Sequence, residues 1–296
     1  MNKWHLARLL VLCLLPVSGC RSAKPPPPIP EAAAVARRIT SQAETLSGQE
    51  NWPAAATEWR KAAEQFALLN DQRQQAIAIH NQGQAEQEQR HLPEALRLFE
   101  IAATLNQKIT QTNEWWRNQI ALLQVEAALS NRAPELDQRF QKLSQRVGDL
   151  KEPAILGLFE IELGLSQMAK RQWSAAETSF NAAEKNFEQS KSPAGKVASR
   201  ANRALLAEAT DHFAAAEVLW RSALSQYQEL AQPAGIARSL AGIGRALLGQ
   251  HKNPAEAQDF LRRAEKNFRQ LKMEAERKKA LEALSAISNK PESTKK

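Results

Sequence analysis

From Glu31 onward, apolar residues return at intervals of three and four rather than two, which predicts helices and no strands. A longer period lies over this short one. Trp59, Phe99, Phe140, Phe180 and Trp220 recur at steps of 40, 41, 40 and 40 residues. Four residues before these positions stand Ala55, Ala95, Leu136, Ala176 and Ala216; three after stand Ala62, Ala102, Leu143, Ala183 and Ala223. A sixth unit carries Ala257, Leu261 and Ala264 at the same offsets. Offsets of four and three fall on one face of a helix. Each unit is therefore expected to contain one helix whose face alternates small and bulky side chains, so that a neighbouring helix approaches closely over the small ones. Phe66, Val147, Phe187, Tyr227 and Phe268 extend the stripe seven residues further on, and Asn106 interrupts it in the second unit.

A second helix in each unit is implied by what precedes this face. Gly83, Gly164 and Ala204 lie twelve residues before the first Ala of their units, and Ala43 fills that place in the first. A small residue there lets the two helices of a pair cross in contact. Pro53, Pro93 and Pro134 mark starts of second helices, where a missing N–H costs nothing, and Pro153, Pro193 and Pro233 mark starts of first helices. Two units depart from the rule. The third has Gln124 at the Gly position and Leu136 and Leu143 for Ala, which predicts looser or rotated packing. The sixth places Gly244 one residue out of register, a shift expected to be absorbed at His251–Asn253.

This combination resembles the tetratricopeptide repeat, in the longer subtype with a period near 40 residues. Stretches such as Tyr227–Gly244 are similar to that subtype. The resemblance covers about residues 31–271 and implies an all-α solenoid of about six helix pairs. The helix from about Met273 to Ile287, rich in Lys and Glu, is expected to cap the array (272–288), because a solenoid must end in a polar face. Residues 289–296 read as a disordered tail.

The front of the chain is an address rather than part of the fold. Lys3 and Arg8 precede a short apolar run, Leu9 to Val17, which is too brief to cross a bilayer and reads as a signal peptide over 1–19. Val17-Ser18-Gly19-Cys20 is similar to the lipobox of bacterial lipoproteins, which implies cleavage before Cys20 and its lipidation. The mature chain then has no free thiol, since Cys13 leaves with the leader. Residues 20–30 form a proline-rich tether, with Pro25 to Pro28 consecutive, that reaches roughly 30 Å when extended. Arg21 follows the Cys where Asp favours inner-membrane retention in enteric lipoproteins. The resemblance thus implies a lipid anchor in the outer membrane, facing the periplasm.

Composition adds little to this picture. The formal net charge of +8 becomes +6 once Lys3 and Arg8 are removed, and the excess is spread rather than clustered. That argues against nucleic acid as a partner and leaves cell-wall or lipopolysaccharide polymer as an alternative one. His91, His212 and His251 fall in turns, and no phosphate loop, zinc motif or nucleophile elbow is present in the sequence. The expectation is a non-enzyme without metal or cofactor.

Binding is expected on the first helices, which line the concave groove in tetratricopeptide arrays. The resemblance implies that Asn81 and Asn202, two residues before the crossing position, contact a bound peptide backbone; an Asn in a helix is also often simply solvated. Leu158, Ile161, Leu165 and Met168 place an apolar strip on the first helix of unit four. Ala121, Val125 and Ala128 in unit three and Ala201 and Leu205 in unit five continue it on either side. Two readings stay open: a seat for an apolar peptide or partner helix, or a surface covered by the neighbouring repeat. Of the adjacent pair Trp115 and Trp116, one is expected in the core and the other at the surface. The function implied is an envelope scaffold that binds another protein or peptide.

Overall fold

The computed structural model describes residues 31–129 and 133–288, and among these every regular element is helical. Cys20, the leader, the proline tether and the tail from 289 lie outside the described residues. The helices are α1 (Glu31–Gly48), α2 (Trp52–Leu68), α3 (Gln72–Glu88), α4 (Leu92–Lys108), α5 (Thr112–Ala128), α6 (Ala133–Arg146), α7 (Pro153–Ala169), α8 (Trp173–Gln189), α9 (Pro193–Ala209), α10 (Phe213–Glu229), α11 (Pro233–Gly249), α12 (Pro254–Gln270) and α13 (Glu274–Ser288). They form six antiparallel pairs, α1–α2 through α11–α12, and α13 closes the row. The fold is an all-α solenoid of tetratricopeptide type.

From α2 to α5 and from α7 to α12 every helix has 17 residues, and all but one of the intervening links within those two runs have three. The links are built alike. In the turn before α4, the N–H of His91 donates to the carbonyl of Glu86 at 2.9 Å and that of Arg90 to Gln87 at 2.9 Å, while Arg90 sits at φ 66°. This is a Schellman closure, which satisfies the last carbonyls of a helix. The same pair of bonds recurs at Asp211–His212 and Lys191–Ser192, with Asp211 and Lys191 left-handed. No described glycine has positive φ, so L-residues, mostly polar but including Ala231, carry the strain at these turns. Before α12 two residues, His251 (φ 54°) and Asn253 (φ 46°), are left-handed, and they take up the extra residue that displaces Gly244.

The aromatic ladder is the core. Trp59, Phe99, Phe140, Phe180, Trp220 and Leu261 are all buried, and so are the flanking Ala55, Ala95, Ala176, Ala216 and Ala257. A Cβ placed on Gly83 would stand 2.8 Å from the Phe99 ring, and one on Gly164 2.5 Å from the Phe180 ring. The crossing glycines are thus in direct contact with the ladder. Where the ladder residue is Trp, its indole N–H needs a partner. Ser47 Oγ accepts it from Trp59 at 3.0 Å, and Glu208 accepts it from Trp220; both lie twelve residues upstream of their Trp. Gly195 and Gly235 make a further contact, beneath Phe187 and Tyr227 of the preceding second helix.

Unit three differs. α6 has 14 residues, ends in the 3-10 turn Val147–Asp149, and stands off α7, whereas every other second helix packs on the first helix that follows it. Large side chains fill the gap. Trp116 is fully buried and meets the Phe159 ring edge-on at 5.7 Å, with Phe140 6.2 Å from Phe159. Trp115 stays half-buried under the Arg146 guanidinium, 4.3 Å from its ring.

Two outcomes follow. Phe180→Ala leaves a void under Gly164 and is expected to cost about 3–5 kcal/mol, read from urea unfolding with the helical signal. Arg171→Gly, in the turn before α8 where Arg171 has φ 58°, is expected to raise stability by about 1 kcal/mol, because Gly adopts that conformation without strain. A loss of stability there would show that the Arg side chain, not the turn geometry, sets the local energy.

Candidate binding surface

The first helices of neighbouring units touch from α3 through α5, α7, α9 and α11 to α13, whereas second helices of neighbouring units lie farther apart. The row therefore curves with its first helices inside, and their free faces form the inner wall. Polar side chains bridge this wall from one unit to the next. His80 Nδ1 on α3 lies 2.8 Å from Asn118 Oδ1 on α5. Gln124 Nε2 on α5 donates to Glu162 on α7 at 2.9 Å. Glu208 on α9 accepts from Arg245 Nε on α11 at 2.7 Å, and Arg238 on α11 reaches Glu276 on α13 at 3.4 Å. These links are separated by 37 or 38 residues, slightly less than one repeat. That spacing was available in the sequence, but it becomes meaningful only once neighbouring first helices are known to be adjacent.

Burial tunes two of these groups. It pushes the Glu162 carboxyl above the ordinary glutamate range, against the lowering effect of its bond from Gln124. It holds His80 below the ordinary imidazole value, opposed by the bond to Asn118 and the nearby Glu114 carboxylate, and aided by the nearby Arg117. His80 also packs on the Phe99 ring at 5.2 Å, which fixes its plane.

The residues expected at the groove are distributed as follows. Asn81 is half-buried on α3 and Asn202 half-buried on α9, with α5 and α7 between them. The Asn202 amide donates back to the Ala198 carbonyl at 3.1 Å, within its own helix. Leu158, Ile161, Leu165 and Met168 run along α7, but at different depths. Ile161 is buried against Ala183 and Phe187. Leu165 and Met168 are half-buried, packed on Phe180, Ala176 and Leu206. Leu158 is 37% exposed and is one of four large apolar side chains in the open among the described residues. Of the flanking positions, Ala121 and Val125 are buried and Ala128 is exposed.

Among the described residues no group of His, Cys, Asp and Glu is arranged to hold a metal ion, and no helix is long and apolar enough to cross a membrane. The turn histidines serve their own turns: His91 Nδ1 lies 2.8 Å from Glu86 and His212 Nδ1 2.9 Å from Thr210.

With this geometry the chain is similar to several solved helical-repeat proteins. One is a Rap protein complexed with Competence and Sporulation Factor, at TM-score 0.60 and 12% identity, matching 83% of this chain and 72% of that one. Another is the apo form of the quorum sensor NprR from B. thuringiensis, at TM-score 0.59 and 10% identity, matching 87% and 77% respectively. At such identities the likeness is one of fold. Neither a protein-family model nor a curated protein sequence matches the chain.

The half-buried Glu162 predicts a pH dependence. Its folded-state carboxyl titrates above the ordinary value of 4.5. Stability is therefore lost as pH rises from that value through the raised one, and the penalty is complete above it. Glu162→Gln keeps the bond from Gln124 and removes the charge. Its urea midpoint is expected to exceed that of the unchanged protein at pH 7, with the difference shrinking towards pH 4. An equal loss of stability at both pH values would contradict this.

Proposed function

We propose that this protein is a lipid-anchored scaffold that holds another envelope protein, or an extended peptide from one, on the inner wall of its solenoid. The observation that carries the reading is the α7 stripe at the centre of that wall: Leu158 is open to solvent beside half-buried Leu165 and Met168. One exposed leucine beside half-buried apolar side chains, bordered by polar links, suits an apolar segment of a partner, and Asn81 and Asn202 stand on the same wall to meet its backbone. Support for a binding role comes from the similar Rap protein, which is complexed with a factor. Support for the anchor comes from Val17 to Cys20 and the proline run behind them. Cys20 would carry acyl chains, and the tether would keep the solenoid close to the outer membrane on its periplasmic side.

The second reading is direct binding of cell-wall or lipopolysaccharide polymer by the basic excess of +6 in the mature chain. Salt separates the two, because polymer held by charge is released steeply with ionic strength and an apolar contact is not.

Two experiments test these statements. A photo-crosslinker at position 158 is expected to capture a discrete partner in intact envelopes, and one at Val218, exposed on α10, is not. Leu158→Glu should abolish capture with the helical signal unchanged. Equal capture from both positions, or release of the partner by 0.5 M salt, would count against the apolar wall. For the anchor, Cys20→Ser is expected to move the protein from the membrane to the soluble fraction and end incorporation of labelled palmitate. Unchanged incorporation would refute lipidation at that residue.

A further inference from the structure

The basic excess is not spread along the array, as its scatter in the sequence suggests. Residues 31–232 hold 22 Lys and Arg against 25 Asp and Glu, whereas residues 233–272, which span α11 and α12, hold eight against three. All three of those carboxylates are already engaged. Glu256 pairs with Arg221 at 2.7 Å, Asp259 with Arg263 at 3.4 Å and Glu265 with Arg277 at 2.8 Å. Arg238 and Arg245 are held by Glu276 on α13 and Glu208 on α9. That leaves Lys252, Arg262, Lys266, Arg269 and Lys272, all exposed and none of them in an ion pair.

Three of these cations form a row. Arg262, Lys266 and Arg269 are spaced by four and three residues, so they share one face of α12 over about 10 Å. It is the face opposite Ala257, Leu261, Ala264 and Phe268, which are buried in the array. Lys252 stands just before the helix and Lys272 just after it. The matching positions of other second helices do not repeat the row. In α2 they are Arg60, Glu64 and Ala67, with Arg60 and Glu64 paired at 2.8 Å; in α8 they are Asn181, Lys185 and Glu188. An outer helix face therefore stays solvated here without excess charge, and like charges at these spacings repel one another. An anion from outside the chain is what would relieve them.

The surroundings narrow its kind. α12 lies on the outer side of the curved row, where no groove holds an extended chain. The Phe260 ring is covered by Arg221 and Arg263, at 5.2 and 5.4 Å, so no aromatic face is open for a base to stack on. The end of the row is closed by α13, so this face does not serve head-to-tail contact with a second copy. Long exposed cations without fixed partners suit a layer of many mobile anions. We propose that the outer face of α12 docks on an anionic phospholipid bilayer. No exposed apolar side chain lies among the three cations, so the helix adsorbs to headgroups and does not insert. The proposal rests neither on the α7 stripe nor on an acyl chain at Cys20, and it confines the basic excess to one repeat.

The test uses residues 21–296, which contain every described helix and lack Cys20, so that no acyl chain contributes. The probes are vesicles of phosphatidylglycerol and phosphatidylcholine in equal parts, and vesicles of phosphatidylcholine alone, read by co-sedimentation. Binding to the first is expected to be at least tenfold tighter. Arg262→Gln with Lys266→Gln and Arg269→Gln should weaken it at least tenfold, since each cation near an anionic bilayer contributes about fivefold. The helical signal should be kept, because all three side chains are exposed. Arg37→Gln with Arg38→Gln and Arg73→Gln removes the same charge from exposed positions on α1 and α3, and should change binding less than twofold. Soluble polyglutamate should displace the protein only at a large excess of charge. Equal binding to both vesicles, an equal loss in the two triple variants, or displacement by polyglutamate at equal charge would each overturn the assignment, the last by giving the face to an acidic chain instead.

Discussion

The contact between a bulky ladder side chain and the small residue that crosses it fixes the rest of this structure. Phe99 beneath Gly83 and Phe180 beneath Gly164 leave no room for a Cβ without movement of the ring. That contact sets the distance between the helices of a pair, and the flanking alanines set the distance to the next pair. Repetition of this geometry along the chain, with unit three the exception, gives a row in which units bury their apolar faces on their neighbours, rather than one central core. Curvature follows, because first helices touch first helices across units and second helices do not.

Lifting the constraint in unit three has connected consequences. Counted from the helix start, Leu123 takes the crossing place expected for Gln124 and is buried with Phe140, while Gln124 beside it bridges to Glu162. Leu136 and Leu143 take larger volumes than the alanines of other units, and Trp116 and Phe159 fill the space that opens against α7. On the other flank of α5 the interface becomes polar, held by Arg139 and Glu126, and a cleft remains. One departure from the repeat thus shapes both the apolar stretch of the inner wall on α7 and the separate polar cleft behind it.

Most of the architecture was legible in the sequence, because the ladder, the alanines and the crossing residues are identity constraints that repeat. The extra residue near His251 was legible for the same reason, as a break in a strict register. The turns were not: their left-handed residues are Arg, Lys, Asp and other L-amino acids rather than Gly, so no composition signal marks them. The roles of Gly195 and Gly235 were hidden too, since they pack on aromatics of the preceding helix and not on the ladder. The depth of each residue on α7 depends on the angle between adjacent units, which side-chain spacing along one helix does not encode. That is why Ile161 and Leu158, three residues apart, differ in exposure. The Arg139–Glu126 pair looked in sequence like ordinary charged positions on a solvated helix.

The central claim is that ladder and crossing residue act as one unit, and a double-mutant cycle on Gly83 and Phe99 measures it. Gly83→Val alone is expected to destabilise by about 1–3 kcal/mol through overpacking, and Phe99→Ala alone by about 3–5 kcal/mol through the void it leaves. In the double variant the valine occupies space that the ring has vacated, so the combined loss should fall short of the sum by more than about 1 kcal/mol. Additivity within about 0.5 kcal/mol would mean the two residues do not share a contact, and the repeat geometry described above would have to be abandoned.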